Sequence, residues 1–130
     1  MPRTRRRRWL AMLLVLSACE AAEPSAPAGF DAPEARVRGR ALFLVHCAIC
    51  HGERADGQGP RRGSLVPPPA SFRDPSWRER TTPARVYRSI RAGVRGTPMA
   101  SWKPVLDEQQ TWDVVAYLLG VGRDAAGSTP

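Results

Sequence analysis

The sequence is poor in side chains that bind metals or attack substrates. Its 130 residues include three cysteines, two histidines and three methionines, so a four-ligand zinc site has few side chains to draw on. The longest apolar run, from Trp9 to Leu16, is too short for a membrane-spanning helix, which needs about twenty residues. No stretch alternates apolar and polar residues as a half-buried strand does. We therefore expect one small all-α domain.

Acidic residues are missing from the first nineteen positions, where basic residues are crowded. Arg3 and the run Arg5 to Arg8 precede the apolar run, as in an export signal. All twelve acidic residues follow Cys19, so fifteen basic side chains face twelve acidic ones in the remainder. The net charge of +8 therefore belongs mainly to the leader. We predict no nucleic-acid partner, because the motifs of such binding are missing.

The stretch Leu16-Ser17-Ala18-Cys19 resembles the bacterial lipobox, in which the signal is cut before a cysteine that carries a lipid. We expect a lipoprotein signal peptide over 1–18 and a lipid-anchored Ala/Pro-rich tether over 19–32. Several acyl chains would anchor the protein stably on the periplasmic side of a bacterial membrane. Glu20 favours the outer membrane over the inner one. The alternative is a conventional signal peptide ending near Ala22, with Cys19 discarded.

Cys47, Cys50 and His51 form the C-x-x-C-H pattern that attaches a c-type haem covalently. Each thiol can close a thioether with a vinyl group of the porphyrin, and the histidine can ligate the iron. Three other interpretations use the same residues: a thioredoxin-like redox pair, part of a zinc site, or a structural disulfide. The first needs a strand-helix unit, the second a fourth ligand, and the third a strained two-residue gap. We therefore favour haem.

The haem iron of an electron carrier usually has a methionine or a second histidine opposite the first ligand. Met1 and Met12 lie in the leader, and His46 is poorly placed to reach the opposite face. Met99 is therefore the predicted distal ligand, on a turn in which Pro98 fixes its own φ. The alternative for this residue is an ordinary core methionine.

From about Glu34 to Gly122 the chain resembles a class I monohaem cytochrome c. The resemblance rests on an ordered set of residues: Gly39, Phe43, Cys47, Cys50, His51, Gly52, Gly57, Gly59, Pro60, Gly96, Pro98, Met99, Trp112 and Tyr117. It implies a small fold of three main helices around one covalent haem c, in a domain over 33–122 with a disordered tail over 123–130. Ala100 stands where many relatives have a second proline, and this weakens the expected rigidity of the turn.

The resemblance implies an electron carrier rather than an enzyme. Two axial ligands leave the iron no open position, so we expect a monomer that cycles between Fe(III) and Fe(II) with redox protein partners. A haem subunit of a larger oxidase or reductase is one alternative. An open-site haem peroxidase or gas sensor is another, and it requires a labile Met99.

A long Pro- and Gly-rich segment follows His51 and is expected to cover the porphyrin. Leu65 and Phe72 are predicted to line the pocket. Pro60 is predicted to offer its carbonyl to the second ring nitrogen of His51, which would fix the tautomer. One of Pro67 to Pro69 is the alternative source of that carbonyl.

Trp102, or one or two of the arginines between Arg54 and Arg95, is expected to pair with a haem propionate. These arginines also have two broader interpretations. They form either a positive rim that attracts an acidic redox partner or an ordinary solvated surface.

The first predicted helix starts with Asp31 as its N-cap and Glu34 three positions later, a capping-box arrangement. Gly39 allows the last helix to come close, and Trp112 or Tyr117 is the expected contact. The apolar face of this first helix is expected to comprise Val37, Ala41, Leu44, Val45 and Ala48.

Two further helices are predicted from their caps. Thr82 begins the second helix and Gly93 ends it. Asp107 and Gln110 repeat the capping arrangement for the last helix. Its buried stripe is expected to comprise Trp112, Val115, Ala116 and Leu119. Two glycines are expected to end it, Gly120 and Gly122.

Overall fold

The computed structural model describes residues 22–127, and this part of the chain is helical and contains no β-strand. The five helices are α1 (Pro33–His46), α2 (Ala48–His51), α3 (Pro75–Glu79), α4 (Pro83–Ala92) and α5 (Glu108–Gly127), with a 3-10 turn at Arg62–Ser64. The predicted all-α class is confirmed. The predicted signal peptide and Cys19 lie outside the described residues. Within 22–127, no helix is long and apolar enough to cross a membrane.

Helices α1 and α5 cross at Gly39. A Cβ atom there would overlap the backbone carbonyl of Asp113, so only glycine allows this approach. Phe43 is fully buried beside the crossing, and its ring centroid lies 5.2 Å from that of Tyr117. Arg38 donates through Nε and Nη2 to the two carboxylate oxygens of Asp113, each at 2.8 Å. The close approach is as predicted, but the contact at Gly39 is backbone and not the ring of Trp112 or Tyr117.

The apolar face predicted for α1 was wrong in part. Its buried residues are Ala35, Gly39 and Phe43, whereas Val37 and Val45 are 71% and 75% exposed. This helix has two sets of residues at four-residue spacing that could face the core: Ala35, Gly39 and Phe43, or Val37, Ala41 and Val45. The set that contains Gly39 faces α5, because it is the one that permits the backbones to meet.

The predicted N-cap of α1 was also wrong. Ala32 occupies the N-cap position, and no side chain bonds to the first turn. Pro33 begins the helix, and its missing N–H needs no capping partner there. Asp31 instead lies 4.0 Å from the guanidinium of Arg36, a distance at which an exposed pair contributes little.

The starts of α4 and α5 are confirmed. Thr82 accepts a hydrogen bond through its hydroxyl oxygen from Arg85 N at 3.2 Å. Asp107 Oδ1 accepts from Gln110 N at 2.8 Å, and Gln110 Oε1 accepts from Asp107 N at 2.9 Å, which is a complete capping box. Gly93 ends α4 with a φ of 73°.

Helix α5 continues through both glycines that were predicted to end it and reaches Gly127. A Cβ at Gly120 would lie 3.3 Å from Arg36 Cδ, and one at Gly122 would lie 3.3 Å from Arg78 Cδ. These glycines therefore accommodate neighbouring side chains. Residues 123–127 of the predicted disordered tail are helical, and 128–130 lie outside the described residues.

The residues before α1 contact the domain. Ala26 and Phe30 pack against the core, and the Phe30 ring meets the Trp112 ring edge to face at a centroid distance of 5.6 Å. Glu23 Oε1 lies 2.8 Å from Arg88 Nη1. The described part of the predicted tether, residues 22–32, therefore packs on the domain that was predicted to begin at residue 33.

Candidate haem site

Two adjoining cavities, of about 440 and 340 Å³, lie between α2, α4 and α5. We refer to them together as the cleft. Both volumes fall in the range of small-molecule and cofactor sites. Cys47 and Cys50 line the larger cavity and not the smaller one. The residues that line both are His51, Ala70, Phe72, Ile90, Val94, Met99 and Leu118.

The single turn of α2 presents the haem-attachment motif to the cleft. The loop that follows bonds to the carbonyls of this turn: Gly57 N donates to His51 O at 2.8 Å, and Gly59 N donates to Cys50 O at 3.2 Å. A Cβ at Gly59 would lie 2.6 Å from the carbonyl oxygen of Ala48. The glycine therefore lets the loop fold back onto the turn and hold it in place.

The two motif cysteines are half-buried free thiols. Burial raises the pKa of the Cys47 thiol to about 12, and the neighbouring Cys50 adds to the increase. A thioredoxin-like nucleophile needs the opposite shift, and the described residues offer no cluster of three or more side chains for a metal such as zinc. The environment therefore argues against the thioredoxin-like pair and the zinc site.

His51 lies with its Nδ1 atom 3.0 Å from the carbonyl oxygen of Ala70. A proton on Nδ1 donates to this carbonyl and leaves the lone pair of Nε2 available for a metal. Burial lowers the pKa of His51, and the bond to Ala70 opposes the change in part. The neutral form that a ligand requires is therefore favoured. The Phe72 ring packs beside the imidazole at a centroid distance of 4.7 Å.

The prediction that Pro60 provides this carbonyl was wrong. Pro60 is exposed and belongs to neither cavity lining, because the loop around Gly59 is folded back onto α2. The proline alternatives, Pro67 to Pro69, lie just before the true acceptor. Phe72 N donates to Ala55 O at 2.9 Å, and this backbone bond fixes the segment that carries Ala70.

Met99 is half-buried and lines both cavities. Thr97 Oγ1 accepts from Met99 N at 3.2 Å and donates to Val94 O at 2.8 Å. Val94 N donates to Met99 O at 3.0 Å, and Ser101 Oγ donates to a carbonyl of the last turn of α4 at 2.6 Å. These bonds hold the turn even though Ala100 replaces a proline.

The other residues predicted for the pocket also line the cleft. Leu65 and Trp102 belong to the larger cavity, and Phe72 belongs to both. His46 faces the larger cavity and lies 5.6 Å from Trp102 between ring centroids. The sequence analysis missed several apolar lining residues. Val114 and Leu118 could have been found from their four-residue spacing on α5; the others are Phe43, Ala70, Ile90 and Val94.

The charged side chains among the described lining residues are arginines. Arg61 belongs to the larger cavity, and Arg80 and Arg85 belong to the smaller one. Arg85 Nη1 donates to the carbonyl oxygen of Arg80 at 2.7 Å, which holds the two near each other. No carboxylate lines either cavity within residues 22–127. The end of the cleft that lacks cysteines therefore favours an anionic group.

This arrangement fits a covalent haem. The thiols and Arg61 line one end of the cleft, and Arg80 and Arg85 line the other. This suits a porphyrin that has vinyl and carboxylate substituents on different edges. The imidazole of His51 and the thioether of Met99 belong to the walls between these ends. The remaining lining is mainly apolar, which suits the macrocycle.

Comparisons with known proteins agree with this fit. Residues 34–118 match the family described as cytochrome c oxidase, cbb3-type, subunit III. No curated protein matches the chain significantly. The solved c-type cytochrome KustC0563 is 26% identical, with a TM-score of 0.53, and the match covers 64% of this chain and 95% of that one.

Two more distant structures share the fold. One belongs to the Kuenenia stuttgartiensis reducing HAO-like protein complex Kustc0457/Kustc0458, with 20% identity, a TM-score of 0.62 and coverage of 78% of this chain. This chain spans only 47% of that one. The other is cytochrome cL from Methylophaga aminisulfidivorans, with 17% identity, a TM-score of 0.58 and coverage of 88% and 85%. The family match covers well over half of the 130 residues of the present chain. This chain therefore belongs to the cbb3-type subunit III family of cytochrome c domains and is an electron-transfer protein with covalently bound haem c.

Proposed function

We propose that this chain is a one-electron carrier whose single haem c is attached through Cys47 and Cys50 and ligated by His51 and Met99. The observation that carries the proposal is the position of the two ligand side chains on the shared walls of the cleft. His51 uses Nδ1 for the carbonyl of Ala70, so its other nitrogen is available to the iron.

The two cysteines are suited to forming thioethers. Each thiol adds across a vinyl C=C bond, so that sulfur bonds to one carbon and the thiol hydrogen passes to the other, and no oxidant is consumed. The raised pKa of Cys47 keeps it protonated at neutral pH and slows its oxidation to a disulfide with Cys50.

The axial residues set the chemistry of the site. When bound, haem supplies one electron at a time, because its iron is stable as Fe(III) and as Fe(II). Met99 offers a soft thioether that favours the reduced form relative to a second histidine. His51 and Met99 would both hold the iron, which would leave no position open to oxygen and other small ligands. The described chain thus favours electron transfer over turnover of a substrate.

Two arginines are suited to holding the propionates. Arg80 and Arg85 line the smaller cavity, away from the cysteines. Their guanidinium groups can donate charge-assisted hydrogen bonds to carboxylates. Trp102 lines the larger cavity with the cysteines, which makes it the weaker candidate for this role.

The proposed location follows from the leader sequence. Cys19 would carry the lipid, and the domain would lie on the periplasmic side of a bacterial membrane, with the outer membrane favoured by Glu20. There the protein would exchange electrons, as a monomer, with a donor and an acceptor protein. A transient interface of modest area suits such turnover.

The proposal is tested on protein made in cells that mature c-type cytochromes. The intact mass should include one haem and the acyl groups, and reduction should give a low-spin haem spectrum. In Met99→Leu the potential should fall by on the order of 100 mV, because axial ligands set haem potentials over about 0.8 V. Val105→Leu, at an exposed position outside the cleft, is the matched control. A folded but colourless product would refute the proposal.

Two other functions are distinguished by further measurements. A haem subunit of a larger oxidase or reductase is favoured by the description of the matched family, and it predicts stable co-purification of other subunits after mild detergent extraction. An open-site peroxidase or gas sensor predicts rapid stoichiometric binding of cyanide or carbon monoxide to the unmodified protein. The carrier predicts neither result.

A further inference from the structure

Residues 22–32, which we call the N-terminal strap, are docked on the domain. Phe30 packs edge to face on Trp112 of α5. Glu23 forms an ion pair with Arg88 of α4. Ala26 adds an apolar contact with the core. Apolar contact at Phe30 and Ala26 therefore holds the strap on the domain, and the exposed ion pair of Glu23 adds a weaker contact near its start.

The strap contacts the faces of α4 and α5 that point away from the cleft. On α5 the residues that line the cleft are Val114 and Leu118. On α4 they are Arg85, Val86, Ser89 and Ile90. With 3.6 residues per turn, Trp112 and Arg88 are each rotated by roughly 130–140° from these cleft-facing directions. On both helices the residue that the strap contacts therefore lies nearly opposite the residues that line the cleft.

We propose that the strap places this back face, the surface over the buried Trp112 and beside Arg88 that the strap covers, against the membrane, so that the cleft opens away from the lipid surface. This inference rests on the proposed lipid at Cys19. Four backbone steps separate Cys19 from Glu23 and span at most about 14 Å. A fully free tether over 19–32 would instead reach on the order of 40 Å. Docking of the strap thus replaces a long flexible connection with a short one.

The orientation also defines how a redox partner reaches the protein. Ile49, between the two motif cysteines, is 52% exposed, and Val66, which lies in sequence between the lining residues Leu65 and Pro67 of the larger cavity, is 85% exposed. On this orientation both face the aqueous phase. The partner is therefore a water-soluble protein, or a domain that projects from the membrane, with an apolar contact surface.

The test uses the lipidated holoprotein in vesicles of phosphatidylethanolamine and phosphatidylglycerol. Single thiols are introduced by Glu108→Cys, one turn before Trp112 on the back face, or by Val66→Cys, at the exposed position between the cavity residues Leu65 and Pro67. Each variant is labelled with a polyethylene glycol maleimide in vesicles and in detergent. We expect labelling at position 108 to be about tenfold slower in vesicles, because there the label reaches this thiol only when Phe30 leaves Trp112, and partial burial of one phenyl ring opposes that step by about this factor. Labelling at position 66 should be unchanged.

A strap variant shows whether docking causes the protection. Adding Phe30→Ala to Glu108→Cys should restore the rate found in detergent, whereas Val37→Ala, at an exposed site of α1, should not. Equal labelling at 66 and 108 in vesicle-bound protein overturns the inference and leaves the lipid anchor standing. Persistent protection in the Phe30→Ala protein also overturns it. Failure to float with vesicles, together with a mass that lacks acyl groups, overturns both the anchor and the orientation.

Discussion

The helix crossing and the two ligand-bearing segments are built in different ways. At the crossing, side chains decide the geometry: Gly39 admits the backbone of α5, and Arg38 pairs with Asp113. In the ligand-bearing segments, hydrogen bonds to the backbone decide: the carbonyl of Ala70 meets the imidazole of His51, and main-chain bonds together with the hydroxyls of Thr97 and Ser101 hold the turn of Met99. Stability is therefore concentrated at the crossing. The placement of the iron ligands depends on bonds that add little to the free energy of unfolding.

The comparison is tested most severely by Gly39→Val. The new side chain would displace the backbone of Asp113, and we expect the free energy of unfolding to fall by about 3 kcal/mol or more. Urea denaturation of the holoprotein, followed by far-UV circular dichroism, measures the change. Gly63→Val is the control, because a Cβ at Gly63 has no heavy atom within 4 Å. If the free energy of unfolding fell in Gly39→Val by no more than the small amount expected in Gly63→Val, the crossing would tolerate a side chain.

Thr97→Val tests the other region. It removes the hydroxyl that accepts from Met99 N and donates to Val94 O, at an expected cost in stability of about 1 kcal/mol. The effect on the iron should be larger than this, because the turn loses the bond that orients Met99. We expect a weaker methionine-to-iron charge-transfer band and faster cyanide binding.

Ser64→Ala is the matched control for Thr97→Val. It also removes one loop hydroxyl, which donates to Arg61 O at 2.9 Å, but this hydroxyl lies outside the methionine turn. An unchanged charge-transfer band in Thr97→Val would mean that side-chain packing, and not the hydrogen bonds of the turn, positions the ligand.

The smallest effect is expected at the cap of α3. Asp74 accepts from Ser76 N at 2.9 Å, and hydrogen bonds from Ser76 hold the pKa of this carboxyl below its ordinary value of 3.8. A lowered folded-state pKa gives stability that is present above the unfolded pKa and is lost as the pH falls through the folded one. Asp74→Ala should therefore be less stable than the unmodified protein near neutral pH.

The difference between Asp74→Ala and the unmodified protein should shrink as the pH falls below about 4. Thermal denaturation over this pH range measures it. Glu79→Ala removes another exposed carboxylate of α3 and serves as the control. A difference for Asp74→Ala that stays constant with pH would mean that the charged cap contributes nothing.

Much of the fold follows from local sequence signals. The caps at Thr82 and Asp107 were predictable because the side chain and its backbone partner lie within three residues of each other. The end of α5 was not, because Gly120 and Gly122 lie inside the helix, close to the side chains of Arg36 and Arg78. Both arginines are distant in sequence, and no local pattern reveals them.

The candidate site was predictable to a different extent. The haem motif and Met99 are recognised by their side chains, which can be read from the sequence. The structure places all four residues in the lining of the larger cavity. The carbonyl beside His51 belongs to Ala70 and not to Pro60, and a backbone acceptor has no signature in residue type. The docking of Phe30 on Trp112 was also missed, because a single aromatic residue in a Pro-rich segment forms no periodic pattern.

The carbonyl of Ala70 has a consequence for how this protein can change over evolutionary time. Every amino acid supplies a main-chain oxygen, so no point substitution at position 70 can delete the partner of the imidazole. An insertion or deletion between Ala70 and Phe72, whose N–H is anchored on the carbonyl of Ala55, would move that oxygen. We therefore expect selection to preserve the number of residues in this segment more strictly than their kind.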